Sequence, residues 1–269
     1  MTILPVNDSA TESEFLQVPL HIYRNDASWI QPLEKDIRQV FDPNKNKCFR
    51  FGTAQRWILK NSEGQLIGRI AAFIYKKYKN KGDAFKVGGI GFFECVNQQE
   101  AADLLFDNAR YWLMNQGVQA MDGPINFGER DKWWGLLVEG FHEPLYGMNY
   151  NPPYYKSLFE QYGFKPFYDQ ICMGMDLRKQ LSDRIHQRHA LVANDSDFSA
   201  RHIQKNDLKT YASHFAEVYN KAWAGHGGLK QMEERTVITM FKSMKPIIDE
   251  KISWFVYYKN ETKGPKLFF

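Results

Sequence analysis

Hydrophobic positions change period several times along the chain, and the changes mark its elements. Gly88 to Val96 reads Gly-Gly-Ile-Gly-Phe-Phe-Glu-Cys-Val. This run is too short for a free-standing helix and rich in aromatic and β-branched residues, so it predicts a central strand. Asn97 stands at an N-cap position with Glu100 three residues on, which predicts a helix start. Ala101, Ala102, Leu105, Phe106, Ala109, Trp112 and Leu113 then recur at helical spacing as far as Gly117, the expected left-handed stop. Val118 to Asp122 is a second short strand, and a helix of this length between two strands predicts a parallel crossover. Upstream, Gln55 to Lys60 and Leu66 to Tyr75 are β-prone runs separated by Asn61-Ser62-Glu63-Gly64, the pattern of a hairpin. Residues 1–14 are polar and expected to fray, and Phe15 to Arg24 fits either a strand or a short helix. Lys35 to Phe41 predicts an amphipathic helix that stops before Pro43.

Asn151 to Phe164 carries a short helix ending in Tyr162-Gly163-Phe164, and Phe167 to Leu177 reads as a closing strand. Arg178 to Ala200 is rich in charge, His, Ser and Asp, and is expected to be a partly helical linker. The pattern restarts with a short strand at Phe198 to Ile203 and a helix capped by Asn206-Asp207. A second helix is expected from about Gln231 to Met244, then a strand from Ser253 to Tyr258 and a hairpin turn at Glu261-Thr262-Lys263-Gly264. The expected organisation is a domain at 1–177, a linker at 178–200 and a second domain at 201–269.

Strand, helix, strand, short helix ending in Tyr-Gly-Phe and closing strand resemble, in order and length, the second half of a GNAT acetyltransferase domain. Phe15 to Trp29, Gly68 to Phe73, Asp122 to Asp131 and Asn151 to Phe164 together are similar to a bacterial group of two-domain GNAT-like proteins. The resemblance implies an α/β fold with a mixed sheet and flanking helices, and a second GNAT-like domain that is incomplete as given. It implies acetyl-CoA or another acyl-CoA as cofactor. It also places cofactor contacts at Cys95, Val96, Gln99, Glu100, Ala101 and Asn151. Two departures stand out. The glycine-rich turn of the family is replaced by Cys95-Val96-Asn97-Gln98-Gln99-Glu100-Ala101, which has no glycine and no arginine. Phe159 occupies the position where the family often has a proton-donating tyrosine; Tyr155, one turn earlier, or Tyr162 is a geometric substitute, with core packing as the alternative use of either.

Composition narrows the classes. With 269 residues, 43% hydrophobic and 15% aromatic, the chain has enough apolar surface for substantial cores. A net charge of +4 with no long run of one sign argues against a nucleic-acid partner. The N-terminus has neither a basic start nor an apolar h-region, and no apolar stretch approaches about 18 residues. No membrane partner is therefore expected, and the cytoplasm is the expected compartment. Three widely separated cysteines suit free thiols, and no metal-ligand spacing appears.

Glu94 is the candidate general base, because a carboxylate among Phe92, Phe93, Cys95 and Val96 has a raised pKa if it faces a dry cleft. Its alternatives are the opposite face of the strand or an ion pair. A bulge aiming an amide at the acyl carbonyl, as the resemblance implies, would fall at Gly88, Gly89 or Gly91; purely local packing is the alternative. Arg130, Trp133 and Trp134 in the following loop are candidates for binding an acceptor, or else for anchoring the loop. Lys76 to Asp83 is either a solvated connection or a basic lip. Three functions remain: acetyl-CoA-dependent transfer to a small, unidentified amine, a non-catalytic GNAT-like binding module, or an aminoacyl transferase of the tandem-domain peptidoglycan type.

Overall fold

A five-stranded mixed sheet frames the first part of the computed structural model, which describes residues 1–76, 78, 85–128, 130, 132–176, 178–224, 231–260 and 264–268. The chain divides into two units, Met1–Ile171 and Cys172–Phe269. In the first, the strands are β1 (Thr2–Pro5), β2 (Gly52–Lys60), β3 (Leu66–Tyr75), β4 (Val87–Cys95) and β5 (Ala120–Asp122), side by side in that order. The first four are antiparallel to their neighbours, and β4 and β5 run parallel, with Gly88 opposite Met121. The crossover between them is helix α3, Gln99–Asn115, as its spacing predicts.

The expected hairpin joins β2 and β3. Asn61 Oδ1 accepts from the amides of Glu63 and Gln65, and Gly64 takes the left-handed conformation that closes the turn. Alternate residues of these strands face opposite layers. Leu59, Ile70 and Ile90 pack against Leu105 and Phe106 of α3 and Leu158 and Phe159 of α4 (Tyr155–Tyr162). Ile58 and Ala71 pack on the other side against Phe15 and Leu16 of α1 (Ser9–Ile22) and Ile37 of α2 (Glu34–Val40).

Three expectations are corrected and one pair of alternatives is resolved. Residues 1–14 do not fray: Thr2–Pro5 pairs with β2, and Asp8 caps α1 through a reciprocal box with Thr11. The alternatives for Phe15 to Arg24 resolve to a helix, with Pro19 in its last turns. Asn97 is not the cap of α3. Gln98 holds that place without a side-chain hydrogen bond, so Glu100 does not form a box. Finally, among the described residues 165–176 there is no closing strand, and Phe167, Ile171, Met173 and Met175 are exposed. Alternation alone does not make a strand when no partner lies alongside.

In the second unit, α5 (Asp183–Ala193) buries none of its residues. Strands β6 (Phe198–His202), β7 (Trp254–Asn260) and β8 (Gly264–Phe268) form an antiparallel sheet. Helices α6 (Leu208–Ala222) and α7 (Glu234–Met244) bring Leu208, Tyr211, Ala212, Ala216, Val237 and Phe241 into one core. The expected turn at 261–263 and the basic connection at 77 and 79–84 lie outside the described residues.

Candidate functional site

A single extra residue in β4 builds the site. Arg69 pairs with Glu94 and Ala71 with Gly91, so three steps along β4 match two along β3. The surplus is a bulge at Phe92, which has φ 50, a left-handed conformation that costs a bulky side chain on the order of 1–3 kcal/mol. Its consequence is a change of face. Regular alternation would place Glu94 on the side of Ile90, in the α3 layer. After the bulge, Phe93 and Cys95 join Ile90 in that layer, while Phe92 packs in the α1 layer and Glu94 meets Arg69. The bulge therefore falls at Phe92 and not at the glycines.

Glu94 is buried, and both its oxygens are engaged. Oε1 lies 3.3 Å from Arg69 Nη2, and Oε2 accepts from the hydroxyls of Tyr23 and Tyr155, each at 2.8 Å. Arg69 also donates from Nη1 to the Phe15 carbonyl at 2.8 Å and lies over the Phe15 ring. Burial pushes the Glu94 carboxyl above its ordinary value, against the opposing pull of Arg69 and the two phenols. Burial also holds the Tyr23 and Tyr155 hydroxyls well above theirs, with the Glu94 charge adding to the effect. Both phenols are therefore donors at neutral pH, and the carboxyl is the group whose charge is tunable.

The network lies at a cleft lined by Arg69, Glu94 and Tyr155 together with Leu16, Pro19, Trp29, Ile30, Phe92, Phe93, Trp133, Leu136 and Met148. Gln31, Glu34, Asn149, Tyr150 and Asn151 add polar groups to an otherwise largely apolar wall. Trp29 stacks on Tyr23 with centroids 4.7 Å apart, and Tyr150 donates to Asp26 at 2.8 Å. The far wall is the long loop that follows β5, which Asn151 holds in place by accepting from the Leu137 amide and donating to its carbonyl.

The other candidates are distributed unequally. Trp133 lines the cleft against Phe92, whereas Trp134 packs with Tyr78 and Phe127 in a separate cluster. Arg130 is exposed and lies over the rings of Trp134 and Tyr168. Its neighbours Glu129 and Asp131 are outside the described residues. Cys95 and Ala101 are fully buried, and burial raises the Cys95 thiol to about 12. Val96 is partly buried against the α3 layer, and Gln99 donates to Asp103 and to the Leu158 carbonyl. Glu100 is exposed at the first turn of α3.

Past Ile90 the parallel strand no longer accompanies β4; Gly89 pairs with Asp122, and the Ile125 amide donates back to Ile90. Two tyrosines take over that edge. The Cys95 amide donates to the Tyr155 hydroxyl at 2.8 Å, and the Tyr154 hydroxyl donates to the Cys95 carbonyl at 2.7 Å. Sequence reasoning found Glu94 and Tyr155 but missed Arg69 and Tyr23. Arg69 carried a signal, being the lone charge in the apolar run Leu66–Tyr75.

No family model matches the chain. It is 24% identical over 269 residues to a bacterial ceramide synthase of Caulobacter vibrioides, covering all of this chain and 69% of that protein. It is 25% identical over 245 residues to protein YghO of Escherichia coli, covering 88% of this chain and 60% of that one. Among solved structures, an aminoglycoside 6'-N-acetyltransferase from Acinetobacter haemolyticus aligns with a TM-score of 0.40 at 14% identity, over 66% of this chain and 99% of its own. With its strands in the order β1 to β5, a parallel β4–α3–β5 crossover and a short helix closed by Gly163, Met1–Ile171 is an α/β fold, a mixed sheet with flanking helices, in the element order that the GNAT resemblance implied.

Proposed function

We propose that the first unit is an N-acyltransferase whose acceptor is an amine with an apolar body. The observation that carries this reading is Glu94, a buried carboxylate that the β4 bulge turns into a cleft with largely aromatic and aliphatic walls. Forming an amide requires the attacking nitrogen to lose a proton, and a carboxyl raised by burial is a base suited to near-neutral pH. Glu94 takes that proton. Tyr23, Tyr155 and Arg69 hold the carboxylate in one orientation, and Tyr155 also lines the cleft. The aromatic and aliphatic part of the wall suits a hydrocarbon chain. One relative is a bacterial ceramide synthase, and a ceramide is a fatty amide of a long-chain amino alcohol; an acceptor of that class suits this lining.

An acyl-CoA is the donor that the resemblance implies, with the acetyl group as its smallest form. The residues at α3 do not match the family's grip. Glu100 puts a carboxylate where a diphosphate would lie, no glycine turn precedes it, and the Cys95 amide and carbonyl are both engaged by tyrosines. No step is therefore derived through CoA. That closed strand edge also favours a second reading, a binding module that holds the amine without transferring to it.

The test incubates the full chain with acyl-CoAs and simple acyl thioesters of several lengths, and with amines ranging from short and polar to long-chain amino alcohols, with products read by mass spectrometry. An N-acylated long-chain amine is expected, with turnover falling about 10²–10⁴-fold in Glu94→Gln while the circular dichroism spectrum is unchanged. Binding of the amine by both proteins with no product from either would replace transfer by the binding module.

A further inference from the structure

The two hydroxyls that donate to Glu94 Oε2, each at 2.8 Å, are not equivalent. The Tyr155 oxygen also accepts from the Cys95 amide at 2.8 Å, which holds that hydroxyl in place with its proton on the carboxylate. Tyr23 has a second acceptor within reach, because its hydroxyl lies 3.3 Å from the Tyr150 carbonyl. A hydroxyl carries one proton, and an O–H···O bond in use measures about 2.5–3.0 Å. The Tyr23 proton therefore rests on Glu94, and the carbonyl stands in reserve. The ring is buried and stacked on Trp29 with the two planes 7° apart, so only rotation of the O–H bond can redirect the proton. The fold keeps the carbonyl close. The Asp26 amide donates to the Tyr23 carbonyl at 2.9 Å, and the Tyr150 hydroxyl donates to the Asp26 carboxylate at 2.8 Å.

We infer that Tyr23 is a positioning residue whose proton changes acceptor with the state of Glu94, lying on the carboxylate while Glu94 is charged and on the Tyr150 carbonyl once Glu94 has taken up a proton. A hydrogen bond to an ionised acceptor is about twice as strong as one between neutral groups, so the carboxylate outcompetes the carbonyl and the neutral acid loses that advantage. The carbonyl then spares the cost of a buried donor left without an acceptor, a cost that would oppose proton uptake by the base. The groups that face the carboxyl are Tyr23 at the end of α1, Arg69 on β3, Cys95 beside it on β4, and Tyr154 and Tyr155 at the start of α4. Arg69 keeps its charge, and burial holds the phenols and the thiol above their ordinary values, so Glu94 is the member whose charge changes near neutral pH. The place of this exchange in a reaction rests on the acyl-transfer reading. There the amine N–H bond breaks, a carboxyl O–H bond forms on Glu94, and Tyr23 turns to Tyr150; both changes reverse when the proton leaves. Tyr150 lines the cleft, so the state of the base is passed to the backbone of the far wall.

The test reads the Tyr150 carbonyl and not turnover. The full chain is isotopically labelled at its glutamate side-chain carboxyls and its tyrosine carbonyls, and both sets of signals are followed by NMR as the pH is raised. The Glu94 and Tyr150 signals are identified by their absence from Glu94→Gln and Tyr150→Phe. In the wild type the Tyr150 carbonyl is expected to move with the same midpoint as the Glu94 carboxyl. Tyr23→Phe keeps the ring against Trp29 and is expected to lose that movement. Its Glu94 should titrate about half a unit to one unit higher, because a donor to the charged form is gone. The acid limb of kcat/KM should move up with it, since the base must be ionised to act. A Tyr150 carbonyl that stays still while Glu94 titrates in the wild type overturns the inference. So does a movement that survives in Tyr23→Phe, which traces it to Asp26 through the Tyr150 hydroxyl. If the two signals move together in the wild type, are uncoupled by Tyr23→Phe, and no amine is acylated, the exchange stands and the acyl-transfer reading falls.

Discussion

Arg69 and Glu94 face each other across β3 and β4, each the lone charge of its strand and each the counter-charge of the other. Arg69→Met keeps much of the side-chain volume and removes the guanidinium, which leaves the carboxylate buried and uncompensated at a cost of about 3–5 kcal/mol. The pH dependence follows from the direction of the Glu94 shift. Its folded pKa is already above the unfolded value, and losing Arg69 raises it further. The folded state then binds the proton more tightly than the unfolded chain. Stability therefore falls as pH rises from the ordinary carboxylate range through the raised value, and is spared below it. Urea titrations should accordingly show a smaller deficit for Arg69→Met at about pH 5 than at about pH 8. A deficit that is the same at both, or larger in acid, would mean that the pair does not control the charge on Glu94. Both residues were visible in the sequence as isolated charges in apolar runs, although only Glu94 was read that way. Tyr23 was not legible, because its role depends on where the end of α1 passes beneath β4.

At the scale of elements, the hairpin, the α3 crossover and the short α4 were legible because each carries its own period and its own stop signal. The bulge was not legible. One extra residue in β4 is seen only when its register against β3 is counted, and it decides which layer Glu94 enters. The closing strand was expected from alternation that has no partner to pair with, and β1 was missed because four residues carry too little pattern. The glycine before the bulge fixes how closely the two arms of the crossover approach. A Cβ on Gly91 would sit 1.9 Å from the Ile125 carbonyl oxygen, a backbone atom that cannot swing away as a side chain would. Gly91→Ala is expected to destabilise by about 1–3 kcal/mol, as overpacking does, and to loosen the wall beside Glu94. Gly174, where an added Cβ meets nothing within 4 Å, is the control; Gly174→Ala should shift stability by no more than about 0.5 kcal/mol. Equal melting temperatures for the two variants would show that β4 and the segment after β5 are not held together in this way.

At the scale of the whole molecule, the site draws all its parts from one unit. Arg69, Glu94, Tyr23 and Tyr155, the bulge and every residue that lines the cleft lie within Met1–Ile171. The cores agree, since the α1 and α3 layers are built from residues up to Phe164 and the α6–α7 core begins at Ile203. The described residues of 165–200 separate these cores in the sequence and are almost entirely exposed, with α5 burying none of its residues. Exposed backbone with few buried contacts opens at low cost and is where a protease acts first. The loop that walls the cleft is also exposed at Leu145, but it is fastened by the Trp133 amide to Gly147, by Asn151 to Leu137 and by Tyr146 to Asp36. Brief chymotrypsin treatment should therefore cut between 165 and 200 before it cuts between 88 and 164. The N-terminal product should keep a cooperative melt that Arg69→Met lowers as it does in the full chain. Earlier cutting within 88–164, or an N-terminal product that does not melt cooperatively, would mean that the buried Glu94 network needs residues beyond Ile171 to stay assembled.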